Sequence, residues 1–337
     1  MKKVVTFGEV MLRLSPPGFA RLVQTTTLNV NFGGGEANVA AGLAYLGVPA
    51  QHVTRFPEND WGYAAAAAYR RYGVDTSRIV YGGERIGTYY IEQGSMMRPS
   101  KVLYDRFDSA FAHLIPAEFD WDEILKDAGW FHWTGITPAI SEPAAEACLK
   151  AIQTANRLGV TVSADVNYRK NLWRWGKSVQ EIMPELVAGC DVIVCGKGDA
   201  EDIFGIKTDK SLVKSSFVSA AQQVMERFPR VQKVLNTKRT SVSASHNTLS
   251  AMLYDGTQHL KTMTHEMVPM VDRIGGGDAF MAGYIYGTYA YGDDQQALDF
   301  AVAASALKHS IEGDFNLVSA AEIETVMKGD VSGKLSR

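Results

Sequence analysis

Residues 130–165, WFHWTGITPAISEPAAEACLKAIQTANRLGVTVSAD, decide the fold class of this chain. Residues 130–133 form a short apolar and aromatic run of strand length, residues 142–158 predict a helix, and residues 160–165 form a second apolar strand. The same order continues outward, with a helix at 178–188, a strand at 192–195, a helix at 212–227 and a strand at 231–236. Strands and helices that alternate in this way predict a parallel sheet covered by helices on both faces.

Toward the N-terminus, residues 3–7 form a first strand that runs into Gly8-Glu9. Residues 10–32 carry Pro16, Pro17, Gly18 and three threonines among alternating apolar residues, which predicts short strands and turns. Residues 36–46 predict a helix stopped by Gly47 and Pro49; a strand at 51–55 and a helix at 61–72 follow. Alternation returns between 82 and 106, as a second set of exposed strands. Beyond 240, hairpin signals surround Asp255-Gly256, and helical segments lie near 278–290, 294–310 and 319–327. The expected organisation is one α/β domain over 1–337 with a mostly parallel central sheet. Insertions at about 10–32 and 84–107 would build a small β element that covers a cleft as a lid.

Composition fits an ordinary globular chain: 337 residues, 46% hydrophobic and 21% charged. A net charge of -3 argues against a general nucleic-acid surface. The three cysteines, Cys148, Cys190 and Cys195, show no CxxC pairing, so neither a disulfide framework nor a zinc site is indicated. The first residues, MKKVVTFGEVML, are too short for a signal peptide, and no apolar run approaches the ~18 residues a membrane span needs. A cytoplasmic protein is expected.

Two glycine runs carry the chemistry. In VDRIGGGDAF (271–280), three glycines leave backbone N–H groups uncovered at a helix start, where the dipole favours an anion. A phosphate cradle alone would not want the carboxylate of Asp278 in the same turn. Asp278 makes sense if it takes a proton from a hydroxyl while the neighbouring amides hold the phosphoryl group that the hydroxyl attacks. In NFGGGEAN (31–38), glycines again open a helix, and Asn38 offers a donor and an acceptor to a polyhydroxylated ligand. Neither run has GxGxxG spacing, and GxxxxGK[ST] is absent. Phosphoryl transfer to an alcohol is indicated; hydride transfer is a poor fit. Residues 8–9, 33–36, 165–169 and 275–278 all follow strand-like runs and can converge on one cleft. His132 sits in an aromatic run that reads as core, and Lys308 and His309 read as complements to a helix C-terminal dipole.

Residues 33–38 and 272–278 together resemble the two signatures of the ribokinase-like (PfkB) carbohydrate kinases, and the resemblance spans essentially the whole chain. GEVMLRLSPPG, RPSKVLYDR, FHWTGITPA, DVNYRKNLW and LKHSIEGDFN are most similar to 2-keto-3-deoxygluconate kinases. The resemblance implies an αβα sandwich with a β lid, ATP and Mg2+ as cosubstrates, and a homodimer paired through the lids. It implies that Asp278 is the catalytic base and that Gly275, Gly276 and Gly277 form the anion hole. It places Gly34, Asn38, Tyr89, Tyr104, Arg106, Arg169 and Asp314 against the sugar, and Asn167 and Thr237, with Gly275 and Gly277, on the ATP side. Arginines suit the carboxylate of a sugar acid, which they pair bidentately.

Two motifs depart from the family pattern. Arg273 replaces the threonine of the last signature and adds positive charge near the phosphates, and Gly276 replaces an alanine. The family's Asn-X-X-Glu, which helps organise Mg2+, becomes Gly196-Lys197-Gly198-Asp199, so Asp199 would reach the metal only through water. The implied reaction converts 2-dehydro-3-deoxy-D-gluconate to its 6-phosphate. Alternatives are a kinase for fructose, ribose or a 5-dehydro-2-deoxygluconate, or a sugar-binding regulatory protein with weakened catalysis.

Overall fold

Strands buried on both faces must place apolar side chains on both sides of the pleat. The computed structural model, which describes residues 1–208, 215–330 and 332–333, builds its main sheet on that rule. In chain order the strands are β1 (Lys3–Phe7), β2 (Met11–Ser15), β3 (Asn29–Gly33), β4 (Ala50–Val53), β5 (Arg55–Phe56), β6 (Val80–Tyr81), β7 (Gly87–Glu92) and β8 (Lys101–Asp105). They continue with β9 (Ala128–Thr134), β10 (Thr161–Asp165), β11 (Val192–Val194), β12 (Lys233–Ser241), β13 (Asn247–Tyr254), β14 (His259–Lys261) and β15 (His265–Met267).

Among the described residues, nine strands join in one sheet of order β14-β13-β12-β11-β10-β9-β1-β4, with β15 beside β13. The run from β4 to β12 is parallel throughout, and β12 to β15 pair antiparallel. Val5 and Phe7, Phe131 and Trp133, Ile193 and Val234 point to one face. There they meet the helices Glu142–Arg157, Val179–Val187 and Ser216–Arg227. Val4, Trp130, Val192 and Leu235 point to the other, against Gly35–Tyr45, Asp60–Arg70, Gly276–Tyr291 and Asp294–Lys308. All three cysteines are free and buried, as small core residues. No helix among the described residues is long and apolar enough to cross a membrane.

A second sheet of four strands, β3-β2-β7-β8, is drawn from two separate stretches, Met11–Ser15 with Asn29–Gly33 and Gly87–Glu92 with Lys101–Asp105. Its inner strands β2 and β7 run parallel, although they lie far apart in the chain.

Three local features differ from the sequence reading. β12 runs past residue 236 to Ser241, because an antiparallel ladder with β13 continues out to Ser241↔Asn247. Lys197–Phe204 is a helix, and the Asp199 carboxylate accepts the Gly196 N–H at its N-cap (3.0 Å). The helix expected from 212 is described from Ser216; residues 209–214 lie outside the described residues.

Candidate active site

In open parallel sheets the ligand crevice lies beyond the carboxyl ends of the strands, and there the two glycine runs meet. Gly275 has φ +81, and a Cβ on it would stand 2.1 Å from the Asp314 carbonyl oxygen. Only glycine tolerates both demands. The Asp272 carboxylate accepts the Ile274 N–H (3.0 Å), which fixes the turn leading into the helix Gly276–Tyr291. That helix therefore begins with amides that lack intrahelical partners and with Asp278 in its first turn.

The helix Gly35–Tyr45 approaches from the other side. Buried Glu36 pins its start to the end of β9 by accepting the Thr134 N–H and the hydroxyls of Thr134 and Thr137 (3.0, 2.8 and 2.6 Å). Two residues on, Asn38 accepts the Gly34 N–H (3.3 Å) and donates through Nδ2 to Asp278 (2.6 Å). The two glycine runs are thus joined by one amide side chain.

Asp278 lines a cavity of about 640 Å³ with Gly34, Asn38, Tyr89, Tyr104, Asn167, Arg169, Thr237, the glycines 275–277 and Asp314. Strands β10, β12 and β13 of the main sheet and the four-stranded sheet above it contribute side chains. Asp165, Asn167, Arg169 and Thr237 also line an adjoining cavity of about 220 Å³, which holds Asp199. Asn167 occupies this corner with φ +40, a conformation that asparagine accepts better than most residues.

Arg106 stands elsewhere. It is buried with its Nε donating to Glu9 Oε2 (2.8 Å), Glu9 also accepts the Ser109 hydroxyl, and neither lines the cavity. Gly8-Glu9 therefore belongs to the packing behind the site, and the arginine expected at a substrate carboxylate is already occupied. Asp314 is at the cavity wall but is also partnered. Arg13 bridges it to Asp272, with 2.5 Å contacts to both, and the Tyr89 hydroxyl donates to its other oxygen. Tyr104, half-exposed, stacks loosely beside Tyr89 with ring centres 6.1 Å apart.

Burial shapes the charges. Asp278 is raised from its ordinary 3.8 to about 8, mainly by desolvation, and the Asn38 hydrogen bond only partly offsets this. Asp165 is raised to about 7 by burial and then by repulsion from Asp199. Two carboxyls held back from ionisation at one cavity mark these residues as candidates for proton or cation chemistry.

The sequence reading brought residues 165–169 to the cleft without singling out Asp165, and it gave no site role to Asn236, Arg239 and His309. Asp165 ends β10, and Asn236 on β12 places its amide oxygen 3.2 Å from where a Gly196 Cβ would be. Asn236 thus fills the space that the side chain missing at 196 leaves open. Arg239 lines the large cavity two residues after Thr237, a spacing that period two on a strand would have revealed. His309 is buried at its helix end. Its Nδ1 lies 2.7 Å from the Ser305 carbonyl, which requires a proton there. Burial lowers the ring to about 4, and Nε2 has no partner among the described residues. A Cβ on Gly276 would stand 2.6 Å from this ring, so the second glycine of the run makes room for it. Lys308 is likewise fully buried, and it donates to the Ile311 carbonyl just past the end of its helix (3.0 Å).

The chain matches the model of the pfkB family of carbohydrate kinases over residues 1–318. It superposes on the crystal structure of a 2-dehydro-3-deoxygluconokinase from Thermotoga maritima with a TM-score of 0.92, at 42% identity and over 98% of this chain and 100% of that one. It is 31% identical to a 2-dehydro-3-deoxygalactonokinase of Haloferax volcanii, over 98% of each chain. It is 27% identical to a 5-dehydro-2-deoxygluconokinase of Clostridium botulinum, covering 94% of this chain and 90% of that one. The chain belongs to the PfkB family of carbohydrate kinases, and its fold is ribokinase-like.

Proposed function

We propose that this protein transfers the γ-phosphoryl group of ATP to the primary hydroxyl of a 2-keto-3-deoxy sugar acid, with 2-dehydro-3-deoxy-D-gluconate as the substrate. The observation that carries this reading is the placement of Asp278. It stands in the first turn after three glycines and faces the same cavity as Asn38, Tyr89, Tyr104 and Arg169. The hydroxyl oxygen bonds to phosphorus as the bond to the ADP oxygen breaks. Asp278 accepts the hydroxyl proton, and the glycine amides hold the phosphoryl oxygens. Such transfers depend on positioning and charge stabilisation more than on covalent help from the protein.

Mg2+ fits the adjoining cavity as an ion that arrives with the nucleotide. Among the described residues no cluster of three or more His, Cys, Asp or Glu side chains could hold a metal alone. Asp165 and Asp199 do offer hard oxygens there, and Mg2+ commonly uses one or two carboxylates plus substrate phosphates. When bound, it would neutralise charge on the phosphates. The three buried free thiols suit a reducing compartment, as the cytoplasm is. The four-stranded sheet would serve as the lid and as the surface on which two copies pair. Val30, Leu103 and Tyr104, about half-exposed, offer apolar area for that purpose. Sedimentation is expected to give a dimer, and a monomer at all concentrations would overturn the pairing.

With Arg106 held by Glu9, Arg169 is the arginine available to the sugar carboxylate. ADP release over a panel of acidic and neutral sugars tests both the activity and this role. Turnover is expected on 2-dehydro-3-deoxygluconate, and Arg169→Ala should raise KM for sugar acids about 10- to 100-fold while neutral sugars are little affected. Equal losses on both classes would remove Arg169 from the carboxylate. Absence of ADP release on every sugar acid would favour the sugar-binding, regulatory reading.

A further inference from the structure

Beyond Val194↔Leu235, the last pair between β11 and β12, β12 leaves the parallel sheet and pairs only with β13. This overhang runs along the cleft. Thr237, Arg239 and Ser241 share one face of it and all line the large cavity, whereas Lys238 and Thr240, on the other face, do not. From 237 to 241 the strip spans ~13 Å, at about 3.3 Å per residue. Arg273, two residues before Gly275, lines the same cavity and brings its guanidinium 3.5 Å from the Ser241 hydroxyl. The strip and the glycine loop therefore meet, with one arginine on each.

Neither arginine is neutralised by the protein. Among the described residues, no carboxylate lies within ion-pair distance of Arg239 or Arg273. By contrast, Arg13 and Arg106, buried nearby, are paired with Asp272 and Asp314 and with Glu9. Arg239 is held below the usual arginine range by desolvation and by repulsion from Arg273 and Arg169. Like charges gathered at a cavity without counter-charge create a focused positive potential that an extended anion would relieve.

We propose that Arg239 and Arg273 hold the diphosphate of the nucleotide, the leaving group of the transfer, while the amides of residues 275–277 hold the phosphoryl group being moved. This inference rests on the kinase reading above. A sugar carboxylate is a poorer match. The glycine-run and lid residues of the sugar side, Gly34, Asn38, Tyr89 and Tyr104, come from other elements, and a single carboxylate does not need a strip of this length. The arginines adjoin Thr237, which lines both the large cavity and the one holding Asp165 and Asp199. Negative charge grows on the diphosphate as its bond to the transferred phosphorus breaks. Two guanidinium groups would stabilise that charge in a site whose carboxylate toward the metal, Asp199, is one methylene shorter than glutamate.

Calorimetric titration of Arg239→Gln and Arg273→Gln with ADP, adenosine and 2-dehydro-3-deoxygluconate tests the assignment, with and without Mg2+. Each variant should bind ADP about 10- to 100-fold more weakly, as expected for losing a charge-assisted contact, with adenosine and sugar-acid affinities unchanged. The deficit should persist without Mg2+. ADP affinity equal to the parent's in both variants would overturn the arginine assignment and leave the kinase reading standing, as would a loss confined to the sugar acid. A parent protein that binds no ADP would overturn both.

Discussion

Asp278→Asn is expected to lower kcat by ~10²–10⁴ while leaving sugar affinity close to that of the parent. The asparagine is nearly isosteric and can keep its contact with Asn38, now 2.6 Å from the carboxylate, so the cavity should keep its shape. What is lost is the acceptor for the hydroxyl proton. As the proposed base, Asp278 must be ionised to act, and burial raises it to about 8, so kcat/KM should climb with pH and level off above that value. Stability moves in the opposite direction. A carboxyl raised from 3.8 to about 8 by folding binds its proton more tightly in the folded state. Its contribution to stability is complete below about 3.8 and declines as pH rises through about 8. Asp278→Asn removes that decline and should melt higher than the parent at pH 9. A variant that kept most of its turnover would end the role of Asp278 as base; an unchanged alkaline melting profile would end the account of its burial.

The largest expected loss of stability comes from Arg13→Met. Arg13 is 1% exposed, with one guanidinium nitrogen 2.5 Å from Asp272 and another 2.5 Å from Asp314. Removing it leaves two buried carboxylates without their cation, and breaking a buried ion pair from one side typically costs about 3–5 kcal/mol. Asp314, already raised by burial, would rise further without the arginine that opposes it. Arg13→Lys keeps the charge but not a fork able to span two carboxylates, so it should fall between parent and Arg13→Met. Denaturant unfolding of the three proteins gives the order directly. Because Asp272 also fixes the Ile274 amide at the start of the glycine turn, Arg13→Met should lower kcat as well. Equal stability of parent and Arg13→Met would show that the bridge contributes nothing net.

The alternation of strands and helices was legible because each β-strand buries both faces and each helix one. Val4 against Val5, and Val192 against Ile193, show the pattern residue by residue. The glycine runs were legible because three consecutive glycines before a carboxylate have few structural uses. Partners far apart in sequence were not legible. Arg106 and Arg169 look alike in the chain, and only the fold brings Glu9, 97 residues away, to the first of them. Lys308 and His309 looked only like complements to a helix dipole, but both are buried, and the glycine turn at 275–276 packs against them. Asp165 and Asn236 end or leave strands as many residues do. Their significance comes from neighbours that sequence order does not supply.

The four-stranded sheet is fastened through its two inner strands and free along its outer strand β8. Arg13 on β2 and Tyr89 on β7 tie it into the floor, whereas β8 is exposed along most of its length and Leu103 and Tyr104 are more than half-exposed. Lifting the whole sheet would sever buried ion pairs; bending back its outer strand would not. In the proposed reading, a sugar arriving from solvent would meet a soft rim and a rigid root. Changes at the rim bear on how fast substrate is captured, and changes at the root bear on whether the captured substrate is aligned with the glycine turn.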